Sequence, residues 1–479
     1  MWSRLPDCAR LQAFGYVSDL QHVVVLSCVA QEFRSLAYNS ILEHLDNPNS
    51  TNRRAALKAV VNVAEKSDPR AITAVIACLQ DTDLVIRLFA VKAIVLVLSG
   101  GHRAASLALV DRLGDDSTDV RKAALDALVK ITPKGDATVV AMLVQSLQRK
   151  PPGSFHEGRI CELRRLYLFG VAKVVSVKAL GSISHKGDQY SITALLQLLG
   201  SVGLDMIASV MKALENVTEH NDRRVISYFL TAITHGSERL YDDLFDETVR
   251  RAMVKTFTSI VPLGDLDSIR VLVEVLENDR QGQWGKERCQ LVAMLMLEHV
   301  GRPGDDGLIT VLIKHLDNEL LPCWVLEKVF RTLAPNHNHQ AITATVQGLK
   351  HAAPRVRRRA LEVLRNIARK GDPIVVDAVV QCLEDGNVFV RRTAMRTLGE
   401  ITQASDEHAV SAVLVCLVEE DDPEVLRVGL MVFARPAQYC SFDYYADIRH
   451  LVTRLQRHHD LDVRYAAELA SDESLPYDF

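Results

Sequence analysis

Apolar residues recur at three- and four-residue spacing through most of the chain, and the pattern breaks again and again at a Gly, Ser or Asn followed by Asp. That rhythm predicts short amphipathic helices joined by tight turns. Asp68, Asp136, Asp188, Asp222, Asp265, Asp305, Asp372 and Asp406 each stand eleven residues before a boundary position, and Pro follows directly at Pro69 and Pro373. A carboxylate at the N-cap with Pro at N1 starts a helix, and losing such a cap costs about 1 kcal/mol. These aspartates are therefore punctuation rather than catalysts.

The punctuation is periodic. Leu45, Leu79, Leu113 and Leu147 lie 34 residues apart, as do Leu349, Leu383 and Leu417. LGDDSTDVRKAALDALVKITPKGDATVVAMLVQS aligns with LKHAAPRVRRRALEVLRNIARKGDPIVVDAVVQC and with LEDGNVFVRRTAMRTLGEITQASDEHAVSAVLVC. Each unit reads as two antiparallel helices that bury their apolar faces only when neighbouring pairs stack, so the expected fold is an all-α solenoid over residues 45–479. Residues 1–44 stand outside the repeat.

Composition agrees: 48% of residues are hydrophobic but only 6% aromatic, so the core is built from Leu, Val, Ile and Ala. A net charge of -4 gives no global attraction to nucleic acid or to an anionic membrane. The longest apolar runs fall well short of the roughly 20 residues that cross a bilayer, and Pro6, Asp7 and Arg10 interrupt any signal-peptide core. The expected location is the cytoplasm or nucleus. Cys78, Cys382 and Cys416 occupy one equivalent place in three repeats, just before a boundary Leu, which suits small buried packing residues in a reducing compartment.

The 34-residue hairpin lacks the W-x-x-L-G-x-x-Y helix of tetratricopeptide repeats. Its D-x-x-V-R-x-x-A-L stretch, around Asp116 to Leu125, resembles the HEAT repeat, especially the short HEAT-like type of phycobilin lyases and many scaffold proteins. The resemblance implies a right-handed α-α superhelix of about 11 to 12 helical hairpins. It also implies a structural ladder in which the arginine of each apolar-Arg pair bonds acidic side chains or carbonyls at the turns. The matching positions here are Arg53, Arg87, Arg121, Arg357, Arg391 and Arg464, with Ile207, Trp324 and Leu426 interrupting the series.

Three insertions break the regularity, at 149–168, 236–247 and 278–287, and they are expected in the turn between the first and second helix of a pair. Phe155, Tyr241, Phe245 and Trp284 place aromatics in these polar loops, and Asp242 and Asp243 add acidic charge, so this loop edge is a candidate protein-binding surface. Residues 349–402 carry eleven Lys or Arg against six Asp or Glu. With two of these arginines assigned to the ladder and no aromatic interleaved to stack a base, a solvated or protein-contacting face is expected there, and nucleic acid is not.

Catalytic motifs are lacking. There is no H-E-x-x-H, G-x-x-x-x-G-K-[ST] or G-x-S-x-G, and the lone His156-Glu157 cannot supply the several His-Glu pairs that hold two irons in the HEAT-like deoxyhypusine hydroxylases. No catalytic residue, cofactor or metal is expected. A phycobilin-lyase-like enzyme is a less favoured alternative, since no residue can be mapped onto one.

The head has its own identity. Leu5-Pro6, then Phe14-Gly15-Tyr16-Val17-Ser18, Leu26-Ser27-Cys28-Val29 and Phe33-Arg34-Ser35-Leu36-Ala37 resemble the F-box, with Ala30 for the usual Cys, Phe33 for Trp and one extra residue between Tyr16 and Ser27. The resemblance implies that Leu5, Pro6, Phe14, Leu26, Val29 and Phe33 dock on the Skp-type subunit of a cullin-RING ubiquitin ligase while the solenoid selects an unidentified substrate protein. The competing expectations are a simple N-terminal cap on the solenoid, and a general HEAT scaffold of another assembly.

Overall fold

The computed structural model describes residues 38–149, 160–201, 203–235, 246–277, 283–318, 321–334, 338–403, 406–433 and 442–474, with the side chains of a few helix-end residues left out. Among these residues the secondary structure is helical throughout. In chain order the helices are α1 (Ser50–Val63), α2 (Pro69–Cys78), α3 (Leu84–Val97), α4 (Arg103–Arg112), α5 (Thr118–Ile131), α6 (Ala137–Gln148), α7 (Ile160–Ile183), α8 (Gln189–Leu199), α9 (Leu204–Val217), α10 (Arg223–His235) and α11 (Glu247–Ile260). There follow α12 (Leu266–Glu277), α13 (Gln283–Val300), α14 (Asp306–Lys314), α15 (Cys323–Leu333), α16 (His339–Gly348), α17 (Pro354–Ile367) and α18 (Pro373–Val380). The series closes with α19 (Val388–Ile401), α20 (Glu407–Glu419), α21 (Pro423–Phe433), α22 (Phe442–Leu455) and α23 (Leu461–Ser474).

Contacts group the chain into two compact units, residues 1–229 with 237–260, and residues 230–236 with 261–479. In each, odd-numbered helices pack on odd and even on even, so that every pair contributes one helix to each of two layers. The core between the layers is aliphatic, with Leu57, Ile94, Leu128, Leu180 and Leu214 buried in the first unit and Leu297, Phe330, Leu364 and Leu398 in the second. Each such side chain contributes roughly 1.5–3 kcal/mol when removed from water. Phe229 and Phe257 add an edge-to-face contact at 6.3 Å.

The chain enters the first unit before the first boundary leucine. Residues 38–43 are helical and run into a 3-10 turn at His44–Asp46 that packs on α1, burying Tyr38, Ile41 and Leu45.

The punctuating aspartates cap the second helices. Asp68, Asp136, Asp188, Asp305, Asp372 and Asp406 accept backbone N–H bonds at the starts of α2, α6, α8, α14, α18 and α20. Asp222 accepts from Arg224 N–H and Asp265 from Ser268 N–H. The residue just before the cap does something the periodicity alone does not show. Ser67, Gly135, Gly187, Asn221, Gly264, Gly304 and Gly371 all have positive φ. Each donates its N–H to the last-turn carbonyl of the next pair's first helix, from Ser67 to Val97 at 2.8 Å through Gly371 to Ile401 at 2.7 Å. One residue in the left-handed region thus stitches each of these seven pairs to its successor, and Gly is the residue that adopts it without strain.

Insertions lie elsewhere than expected. The segments at 149–168, 236–247 and 278–287 follow the second helices α6, α10 and α12 and precede the first helices α7, α11 and α13, so they join successive pairs rather than the two helices of one pair. Two of them partly lengthen a helix: α7 has 24 residues and α13 has 18, against 14 in α1, α3 and α5.

Candidate interaction surface

The turns between pairs are clamped by side chains. Arg87 shows the full arrangement: Nε and Nη2 donate to the two carboxylate oxygens of Asp115 at 2.8 and 3.0 Å, and Nη1 donates to the carbonyls of Asp81 and Thr82. Arg53 makes the same contacts with Asp81 and the carbonyls of Asn47 and Pro48. Arg357 does so with Asp385 and the carbonyls of His351 and Ala352, and Arg391 with Glu420 and the carbonyl of Asp385. The receiving acid also closes its own turn. Asp81, Asp115, Asp385 and Glu420 accept the N–H of Asp83, Ser117, Asn387 and Asp422, each two residues on.

One carboxylate therefore receives a guanidinium from the preceding pair and a backbone donor from its own. The arginine bonds hold Asp385 below the usual carboxylate range. At Asp81, Asp115 and Glu420 burial pushes upward, and the ladder arginine with the backbone N–H outweighs it. The acids were not singled out in the sequence, although the signal exists: Asp81, Asp115 and Asp385 stand two residues after a boundary Leu.

The ladder changes where the acid or the arginine is missing. Arg121 donates to the carbonyls of Asp115 and Asp116 and to Thr118 Oγ1, because the place 28 residues on, where Arg53 and Arg87 meet aspartate, holds Arg149. Arg464 donates to the carbonyl of His458. In α13 the ladder position is Gln290, which is buried, donates to the Leu276 carbonyl at 2.8 Å and accepts from Asn318 at 3.0 Å, an uncharged version of the Arg–Asp pair.

In α15 the interrupting residue is Cys323 rather than Trp324, counting back eleven residues from the C-cap Ala334 as Arg53 stands from Ala64. A cysteine cannot reach the turn carbonyls, and Arg359 of α17 takes over. It is 1% exposed and donates to the carbonyls of Leu316 at 3.1 Å, Asn318 at 2.5 Å and Leu321, and to Cys323 Sγ at 3.4 Å. Nothing in the local sequence RVRRRAL distinguishes this buried guanidinium from its neighbours.

Part of the basic stretch 349–402 is ion-paired. Besides the ladder pairs, Arg365 meets Glu327 at 2.8 Å and Glu400 at 3.9 Å, Arg392 is bidentate on Asp422, and Arg358 lies 3.8 Å from Glu362. An aromatic is nonetheless interleaved, contrary to expectation: Phe389 is 55% exposed with the Arg392 guanidinium 5.5 Å from its ring centroid. Trp324 is likewise exposed.

Leu5, Pro6, Phe14, Leu26, Val29 and Phe33, and the loop residues Phe155, Tyr241, Asp242, Asp243 and Phe245, lie outside the described residues, and Trp284 is described only as a backbone position in α13. Burial pushes the thiols of Cys78, Cys289, Cys382 and Cys416 up to about 11 or 12, which suits packing rather than nucleophilic roles. Among the described residues, no group of three or more His, Cys, Asp or Glu could hold a metal ion, and no helix is long and apolar enough to cross a membrane.

Stacked two-layer hairpins with capped, clamped turns define an α-α solenoid. A family model described as HEAT repeats matches residues 342–433. No curated protein matches the sequence. Similar solved structures include the karyopherin Kap121p bound to the SUMO protease Ulp1p, at 12% identity and TM-score 0.52 over 98% of this chain and 53% of that one. Kap121p bound to the extreme C-terminus of the protein phosphatase Cdc14p matches at 12% identity and TM-score 0.53, over 94% of this chain and 49% of that one. Kap121p bound to Pho4p matches at 12% identity and TM-score 0.50, over 94% and 52%. The chain spans about half the length of these structures, and at such identity the likeness concerns the fold.

Proposed function

We propose that the chain is a non-catalytic protein-interaction scaffold whose head, residues 1–44, docks the Skp-type subunit of a cullin-RING ubiquitin ligase while the HEAT solenoid holds the substrate protein. The observation that carries the scaffold reading is the clamp: polar side chains between pairs are committed to fixing the steps, with Arg–carboxylate bonds from Arg53, Arg87, Arg357 and Arg391 and a backbone stitch at seven pairs. A rigidly stepped surface presents contacts without reorganising, which lowers the ordering cost of association. The adaptor role rests on the Leu5-Pro6 to Ala37 sequence of the head.

Co-purification with the Skp-type subunit tests the adaptor role. Binding by the intact chain, lost on changing Leu5 and Pro6 to Ala, is the expected result; no binding by the intact chain removes it. A general scaffold in another assembly is the second reading, and it predicts a partner retained after deletion of the head. That deletion should end at residue 37, because Tyr38, Ile41 and Leu45 are buried against the repeats.

A further inference from the structure

Within the second unit, the starts of α15, α17 and α19 carry an exposed patch of unusual chemistry. Trp324, Arg358 and Arg392 each stand one residue after the ladder position of their helix, and Arg355 and Phe389 two residues before it. Positions three apart on a helix are neighbours, as the Arg392 guanidinium 5.5 Å from the Phe389 ring centroid shows. Trp324 and Phe389 are each 55% exposed. Arg355, Lys350 and His351 are exposed between them, at the turn leading into α17.

We propose that this patch docks an extended acidic segment of a partner protein, with an apolar side chain on Trp324, another on Phe389 and a carboxylate between them on Arg355 and Arg358. This rests on the scaffold reading and adds the chemistry of the partner. Helices pack 8–10 Å apart, so two steps from α15 to α19 span about 16–20 Å, which is five or six residues of extended chain at about 3.3 Å each. That span is too wide for consecutive stacked bases. Arg392 is bidentate on Asp422, and Arg358 donates from Nη2 to Cys323 Sγ at 3.6 Å with Glu362 3.8 Å away, so both guanidinium groups are already held in place.

Panning a phage-displayed library of random 12-residue peptides on the full chain tests the proposal, with W324A, R355E and F389A as comparison proteins. The expected peptides carry Asp or Glu between two apolar residues five or six apart, and their synthetic versions lose at least tenfold in affinity on each variant, while W324F keeps most of it. The substituted side chains are exposed, so unchanged melting temperatures confirm that the variants fold. Failure to enrich such peptides overturns the proposal, as does binding of a 20-nucleotide oligo-dT with the same sensitivity to the variants. Peptides that bind wild type and variants alike also overturn it, yet leave the scaffold reading standing; that reading falls only if the chain captures no protein partner through any surface.

Discussion

A single guanidinium in this chain answers for two or three carbonyl and carboxylate groups at once. Arg87 illustrates the cost of removing one: Asp115 is buried and accepts from it twice. Arg87→Ala should lower stability by about 2 kcal/mol, because Asp115 would keep only Arg112 and a backbone donor. Urea denaturation checks this, and a loss within error of zero would mean that water replaces the clamp. Arg121 offers the converse experiment. Its acid is replaced by Arg149, so Arg149→Asp should complete the ladder and raise stability by about 0.5–1 kcal/mol at low salt, an effect that added salt erodes. His458 supplies a pH-sensitive turn, since its Nδ1 accepts the Asp460 N–H at 3.1 Å. Burial, with His459 beside it, lowers its pKa. A depressed imidazole pKa contributes stability that is present above the unfolded value near 6.5 and lost as pH falls through the folded value. His458→Asn, which keeps an acceptor, should flatten that part of the stability profile.

Between helices, close approach and buried polarity decide the packing. At Gly181 in α7, a Cβ would lie 2.8 Å from the Ala213 Cα of α9. Gly181→Ala should therefore push these two helices apart, and a melting temperature lowered by several degrees is the expected result. Arg359 holds the turn between α14 and α15 from the side of α17. Arg359→Met should cost at least about 3 kcal/mol, since the carbonyls of Leu316, Asn318 and Leu321 lose their donor in a buried place. A smaller loss than that of Arg87→Ala would show that the turn is held by packing instead. The helices, their caps and the breaks before them were legible in the sequence because propensity and capping are local. The ladder arginines could be named as well, but their acids lie 28 residues away and needed the turn geometry, and Arg359 was invisible because its role follows from the shortness of Cys323 on another helix.

For the whole molecule, the carboxylates that join successive pairs make acid the common weak point. Asp81, Asp115, Asp385, Glu420 and Asp422 are all held below their ordinary values, with burial opposing and the arginine bonds prevailing at the first two and at Glu420. Their stabilisation is complete above about pH 4–4.5, the unfolded carboxylate range, and disappears as pH falls through the lower folded values. Circular dichroism melts should accordingly show a steep loss of stability below about pH 4, shallower in a variant in which Arg87 and Asp115 are both replaced by Met. By itself the sequence determined the repeating hairpin, its caps and its ladder arginines, because each of these follows from spacing along the chain. Only the tertiary structure decided which turns join which pairs, that the insertions sit between pairs, that part of the basic stretch is ion-paired, and that Trp324 and Phe389 stand exposed. Those facts depend on which residues of different helices come within a few ångströms, and helical periodicity records the buried face of each helix without recording its neighbour.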